Sequence, residues 1–301
     1  MLWFWIVISA QFANAGALLL DKFLLSSKFP RPVVLTFWTA LWNLLGLVFI
    51  FWDFIWFPGW YVLILALVSG LAFTIALQFL YMGMKEGEAS HISPLVGGVV
   101  PVVTMIITYF WLSQRLTGME YAAVLLLVLG SFLISFEKSL KHNGLHIGML
   151  WGVIAGIFFG GSYALIEGVF AETTFSTGFV WARVGSFVPV IFFLLLKSVR
   201  KDIFVKSEKK KKQMKSGLVI LVINKSLAAV YFLGMNFAIS IAGATIVNAL
   251  AGLQYAILFV LIFASTKLFP KFFKEKFTRM EIVQQVVAIV LIIGGLALIA
   301  L

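Results

Sequence analysis

Cysteine is absent from the 301 residues, which excludes disulfides, thiolate nucleophiles and cysteine-bound metals. Charge is scarce: 12% of residues are Asp, Glu, Lys or Arg, about half the share of a soluble domain. No long polar stretch is available to build a separate soluble catalytic or nucleic-acid-binding domain. The HExxH zinc motif, the GxSxG nucleophile elbow and an aspartate cluster for a metal and a diphosphate are missing too, so the residues suggest neither an enzyme nor a metal or cofactor. What is abundant is apolar. Hydrophobic residues make up 62% of the chain and the mean hydropathy is +1.07, which a soluble globule does not reach. A spanning helix takes roughly 20 apolar residues, so a chain of this length with short loops has room for about ten.

Apolar segments run near 3–20, 32–52, 60–83, 92–113, 119–136, 148–168, 177–196, 217–239, 243–265 and 281–300. These predict an all-α integral membrane protein of ten transmembrane helices, because each run is too long for a barrel strand and lacks in-out alternation. Basic residues sort by topology before they indicate a partner. The loops after helices one, three, five, seven and nine hold 20 Lys and Arg, while the other loops and both termini hold only Arg115. That asymmetry predicts cytoplasmic odd loops and both termini outside, and without Cys or retention signals the plasma or inner membrane of a cell is the expected location. The net charge of +11 is then a topological signal, not a nucleic-acid footprint. The cluster Lys206 to Lys215 reads as an anchor able to touch anionic lipid.

The chain also repeats itself. Gln-Arg-Leu-Thr-Gly-Met-Glu at 114–120 is echoed by Glu-Lys-Phe-Thr-Arg-Met-Glu at 275–281, and Gly87-Glu88-Ala89-Ser90 by Ala242-Gly243-Ala244-Thr245. Each pair sits at corresponding places in a five-helix set, which predicts two halves, 1–141 and 142–301. Five is odd, so the second copy enters the membrane in the opposite sense, the inverted-repeat plan of many secondary transporters. Gln114-Arg115-Leu116-Thr117 with Gly130, and Glu275-Lys276-Phe277-Thr278 with Gly294, resemble the segment that closes each repeat of the EamA-type branch of the drug/metabolite transporter superfamily. The resemblance covers nearly the whole chain and implies a ten-helix permease or exporter of small molecules. Two departures stand out: Gln114 replaces the family's usual Glu, and the family usually keeps both termini cytoplasmic with a basic loop after helix two, whereas here the loop at 53–59 carries no basic residue.

Candidate site residues follow from polar groups on apolar faces. Gly148, Gly152, Gly156 and Gly160 recur every four residues on helix six, either as a packing seam or as a sliding surface for alternating access. Tyr163 and Glu167 continue that face. In helix one, Ala10, Asn14, Ala17 and Asp21 form the corresponding stripe. Lys225 lies about 12 Å into helix eight at 1.5 Å per residue, where it either snorkels or serves a site. Asn236 lies further along that helix. Arg183, early in helix seven, occupies a position where the family resemblance implies an Arg, with Glu167 as a prospective partner. Gln78 and Tyr81 in helix three, and Asn248 and Tyr255 in helix nine, complete the set, with Gln254 expected to point away. His91 is expected at the membrane interface.

No acid falls near the middle of a predicted span, so the interior reads as basic. The expectation is a secondary transporter of a small polar, anionic or zwitterionic metabolite, working by alternating access around a midplane cavity as a monomer or homodimer. A flippase for an anionic lipid-linked sugar suits the same basic interior, and an intramembrane enzyme is the third reading.

Overall fold

Apolar runs of this length must satisfy their backbone hydrogen bonds internally when surrounded by lipid, and the helix does so within one segment. The computed structural model describes residues 2–29, 31–51, 53–87, 89–135, 146–203, 208–268 and 279–300, and among them no strand occurs. The elements are α1 (Leu2–Ser27), α2 (Pro32–Asn43) continued by a 3-10 segment (Leu44–Phe51), α3 (Trp60–Glu86), α4 (Ala89–Trp111), α5 (Gly118–Ser135), α6 (Ile147–Glu172), α7 (Phe175–Leu195), α8 (Lys197–Ile203), α9 (Glu208–Ala242), α10 (Ala244–Ala249), α11 (Gly252–Leu268) and α12 (Arg279–Ala300). Nine helical stretches among the described residues are long and apolar enough to cross a membrane, as in a multi-pass membrane protein. In α12 the apolar stretch, Val283–Leu298, is shorter.

Four elements differ from the reading of the sequence. Helix one continues past Asp21 to Ser27, so Asp21 lies inside a helix. Helix eight starts at Glu208, so the Lys209–Lys212 run is helical backbone and not a loop. A helix does not stop where apolar sequence stops, since its hydrogen bonds are indifferent to the polarity of the side chains. Helix two tightens to 3-10 geometry after Asn43, and helix nine breaks at Leu250–Ala251 into α10 and α11. The residues 136–145 and 269–278, which hold part of the repeat signature, lie outside the described residues, as do the side chains of the cluster Lys206 to Lys215.

Pairing between the two parts of the chain builds the core. The main contacts set α1 on α9, α3 on α6 and α7, α4 on α6, and α5 on α12. Glycine sets the distance of closest approach in several of these pairs. At Gly156 an added Cβ would lie 2.6 Å from Val99 Cβ, and at Gly160 2.7 Å from Val103 Cβ. Gly152 has 3.3 Å to Leu95, while Gly148 lies against His146 and the Gly83 carbonyl. The glycine ladder of α6 is therefore the seam it shares with α4 and the end of α3. The α3–α7 pair is closer still: a side chain on Gly70 would collide with the Ala182 carbonyl, and one on Gly185 with Leu67. Thr74 Oγ1 donates to the Ser186 carbonyl across that contact at 2.8 Å. In α5 and α12 the seam uses Gly130 and Gly295, while a Cβ on the neighbouring Gly294 would meet Leu126 Cδ1 at an ordinary 3.8 Å.

Candidate functional site

A cavity of about 110 Å³ opens between α1, α2, α3, α4, α6, α9, α10 and α11, so both parts of the chain contribute to its wall. Its centre is a three-membered ring of charged and polar groups. Lys225 Nζ donates to Asp21 Oδ1 at 2.9 Å and to the Tyr81 hydroxyl at 3.2 Å, and that hydroxyl donates to Asp21 Oδ2 at 3.3 Å. Thr39 Oγ1 stands 3.2 Å from the Tyr81 hydroxyl. Lys225 is 2% exposed and Asp21 6%, so the ions are held away from solvent and stabilised by each other. The sequence expectation of a basic interior without a central acid is thus corrected. Asp21 lies on the stripe of helix one with Asn14 and Ala17, and all three line the cavity.

Around this ring the other helices supply amides and phenols. Asn14 Nδ2 donates to Gln254 Oε1 at 2.5 Å, which brings Gln254 into the site. Asn248, Tyr255, Tyr163 and Tyr231 share the wall. Asn248 Nδ2 and Ser93 Oγ are buried without a hydrogen-bond partner, so polar capacity faces the space. Gly97 makes room for Tyr255, since a Cβ there would overlap its ring. The ring of Tyr163 stacks on Phe159 at 6.2 Å.

A second cavity of about 240 Å³ adjoins the first and shares Thr39, Asn43, Lys225, Ala228 and Phe232 with it. It lies between α2 with its 3-10 extension, α7 and α9, and Arg183 forms part of its wall. The guanidinium sits in an aromatic box, with Cζ 3.9 Å from the Phe232 ring centre, 4.9 Å from Phe179 and 5.6 Å from Phe73. Gly46 of the 3-10 segment lies against the Arg183 stem, where a Cβ would be 3.0 Å from Cγ. Leu45, also on the wall, is 61% exposed, so this cavity borders the outer surface of the bundle.

Several candidates lie elsewhere. Glu167 is not the partner of Arg183: its Oε2 accepts from the Ala244 amide at 2.9 Å, capping α10 just after Gly243, whose φ of +81 puts it in the left-handed region. Gln78 accepts from Thr36 at 2.8 Å and ties α3 to α2. Asn236 bonds back to the Phe232 carbonyl at 2.9 Å. None of these three lines either cavity. His91, at the start of α4, is buried, with Nδ1 3.1 Å from the Ile134 carbonyl. The sequence reading missed Asn43, whose signal was a lone amide in an apolar run, and the role of Asp21.

Comparison with known proteins gives the fold alone. No family profile and no curated protein matches the chain. Twenty-six solved chains do. One, described simply as the crystal structure of a protein, superposes with a TM-score of 0.65 at 13% identity, covering 97% of this chain and 98% of that one.

Proposed function

We propose that the protein is a secondary transporter of a small polar metabolite. It works by alternating access around the cavity that holds Lys225, Asp21 and Tyr81, and is no enzyme. The observation that carries this reading is the cavity itself: a buried ion pair with free amide and hydroxyl capacity, walled by helices from both parts of the chain. An apolar packing core needs no such group, and ionisable residues inside a membrane mark substrate or ion paths by default.

The helix pairing supports two five-helix repeats, 1–141 and 142–301, of opposite orientation, with α12 as the tenth span. A two-fold axis in the membrane plane exchanges first and third helices between halves, so α1 on α9 answers α6 on α3, while α5 meets its own counterpart α12. Under the same operation α3–α7 corresponds to α9–α2. The first of these is closed on glycine, whereas the second is parted by the 240 Å³ cavity. One closed and one parted pair is the asymmetry expected of a transporter resting in one of its two states. This agrees with the EamA resemblance of the sequence; the plasma or inner membrane location and the termini outside are proposed from the sequence alone, the latter on its charge asymmetry. The preference for anions no longer rests on Lys225, since Asp21 neutralises it. A flippase for an anionic lipid-linked sugar is the second reading, favoured by the exposed Leu45 and Val48 on the wall of the second cavity.

The test is uptake into proteoliposomes from a pool of metabolites, read by mass spectrometry against protein-free vesicles. Selective accumulation of one or a few solutes, lost in Asp21→Asn, is expected. No accumulation of any pool member, together with lipid scrambling by the same preparation, would replace the transporter with the flippase.

A further inference from the structure

Arg183 is 3% exposed, and its Nε and Nη1 have no hydrogen-bond partner. On the same cavity wall, Asn43 Nδ2 is also buried and unpaired. Buried donors without acceptors are costly and uncommon, so three of them around one space call for an explanation. No Asp or Glu lines this cavity, and Lys225, which closes its inner end, is already paired. What the space lacks is an acceptor with negative charge. Apart from Thr39, its remaining wall is apolar and aromatic, with Phe49, Phe179, Phe232 and Trp42.

We propose that this second cavity is an anion subsite. Arg183 and Asn43 hold a carboxylate or phosphate group, and the attached apolar body packs on Phe49, Phe179 and Phe232. The planar guanidinium suits such groups because it can present two parallel donors to two oxygens. The π faces of Phe232 and Phe179 offset part of the cost of the buried cation. The anion is cargo only on the transporter reading, from which this inference takes that one element; the binding itself does not depend on it.

The experiment uses purified full-length protein in neutral detergent, with benzoate and benzyl phosphate as probes and benzyl alcohol and benzylammonium as controls, read by thermal shift. The anions are expected to raise Tm and the controls to leave it unchanged. Arg183→Met is expected to weaken the apparent affinity at least about tenfold, the size of a lost charge-assisted hydrogen bond, and Asn43→Ala severalfold. Arg115→Met removes an exposed charge and should keep the shift. If Arg183→Met does not fold, Asn43→Ala and Gly46→Ala, which displaces the Arg183 stem, carry the test. Repeating the titration in nanodiscs separates the sources of the group: suppression by phosphatidylglycerol but not phosphatidylcholine assigns the site to a lipid headgroup, and equal binding in both assigns it to a soluble anion. An equal shift with benzyl alcohol, or an affinity unchanged in the Arg183 and Asn43 variants, overturns the inference. Anion binding without uptake in proteoliposomes would remove the transporter reading alone, and uptake that persists while the anion-induced shift is unchanged by Arg183→Met would remove this inference alone.

Discussion

Lys225→Met removes one member of the buried pair and leaves Asp21 without its counter-ion. At the observed 2.9 Å and an effective dielectric of about 20, two unit charges attract by roughly 6 kcal/mol. Desolvation of both ions offsets much of that, so the net worth of the intact pair is small, yet breaking it by one side costs about 3–5 kcal/mol. Tyr81 still donates to Asp21, and the adjoining cavity admits water, so the lower end of that range is the expected loss. Asp21→Asn should cost a similar amount by stranding the ammonium. The double variant Asp21→Asn with Lys225→Met carries no buried charge and should regain at least about 2 kcal/mol over either single variant. Reversible unfolding in mixed micelles gives the four stabilities of the cycle, and vesicle uptake at equal protein gives their activities. Recovered stability without recovered uptake is the expected outcome, because the pair is then part of the transport site and not a mere strut. Additive losses, with the double variant worse than both singles, would refute the reasoning from desolvation. Recovered uptake in the double variant would refute the role of the pair in transport.

Three other perturbations have definite outcomes. Gly156→Ala and Gly160→Ala place a β-carbon within 2.6 and 2.7 Å of a valine β-carbon, so each should destabilise by roughly 1–3 kcal/mol. Gly152→Ala should be mild and Gly161→Ala, which meets nothing within 4 Å, neutral; thermal denaturation ranks them, and a tolerated Gly156→Leu would show that this face meets lipid. Gly97→Ala pushes the Tyr255 ring into the central cavity and should reduce uptake more than stability, which a comparison of Vmax with Tm reads out. On the charge asymmetry, Lys210→Cys should react with an impermeant maleimide only after cells are permeabilised, and labelling of intact cells would reverse the assigned orientation.

Helix positions were legible because long apolar runs have few ways to satisfy their backbones in lipid. Their ends were not. Asp21 marks the end of an apolar run, yet the helix carries it inside because Lys225 lies opposite, 204 residues away in sequence. No local pattern reports such a partner. Lys225 was visible as a lone charge in an apolar span, and the stripe Asn14, Ala17, Asp21 already pointed the acid inward. Gln254 was misjudged because the break at Leu250–Ala251 re-aims α11 relative to α10, and a continuous helical register does not carry across it. Glu167 and Arg183 looked complementary in charge, but the buried Ala244 amide at the start of α10 was the nearer demand. Gly46, Gly70 and Gly185 gave no signal, because the need for a missing side chain appears only when two backbones meet.

Phe232 belongs to the walls of both cavities and covers Arg183 from 3.9 Å. If Arg183 holds the proposed anion, a solute that displaces this ring uncovers the cation at the moment its replacement arrives. The phenyl group is therefore a placeholder that competes with the ligand for one partner. A bulkier or more electron-rich ring, as in Phe232→Trp, holds that place more firmly, and Phe232→Leu leaves it vacant. On that proposal one residue sets the threshold a ligand has to exceed.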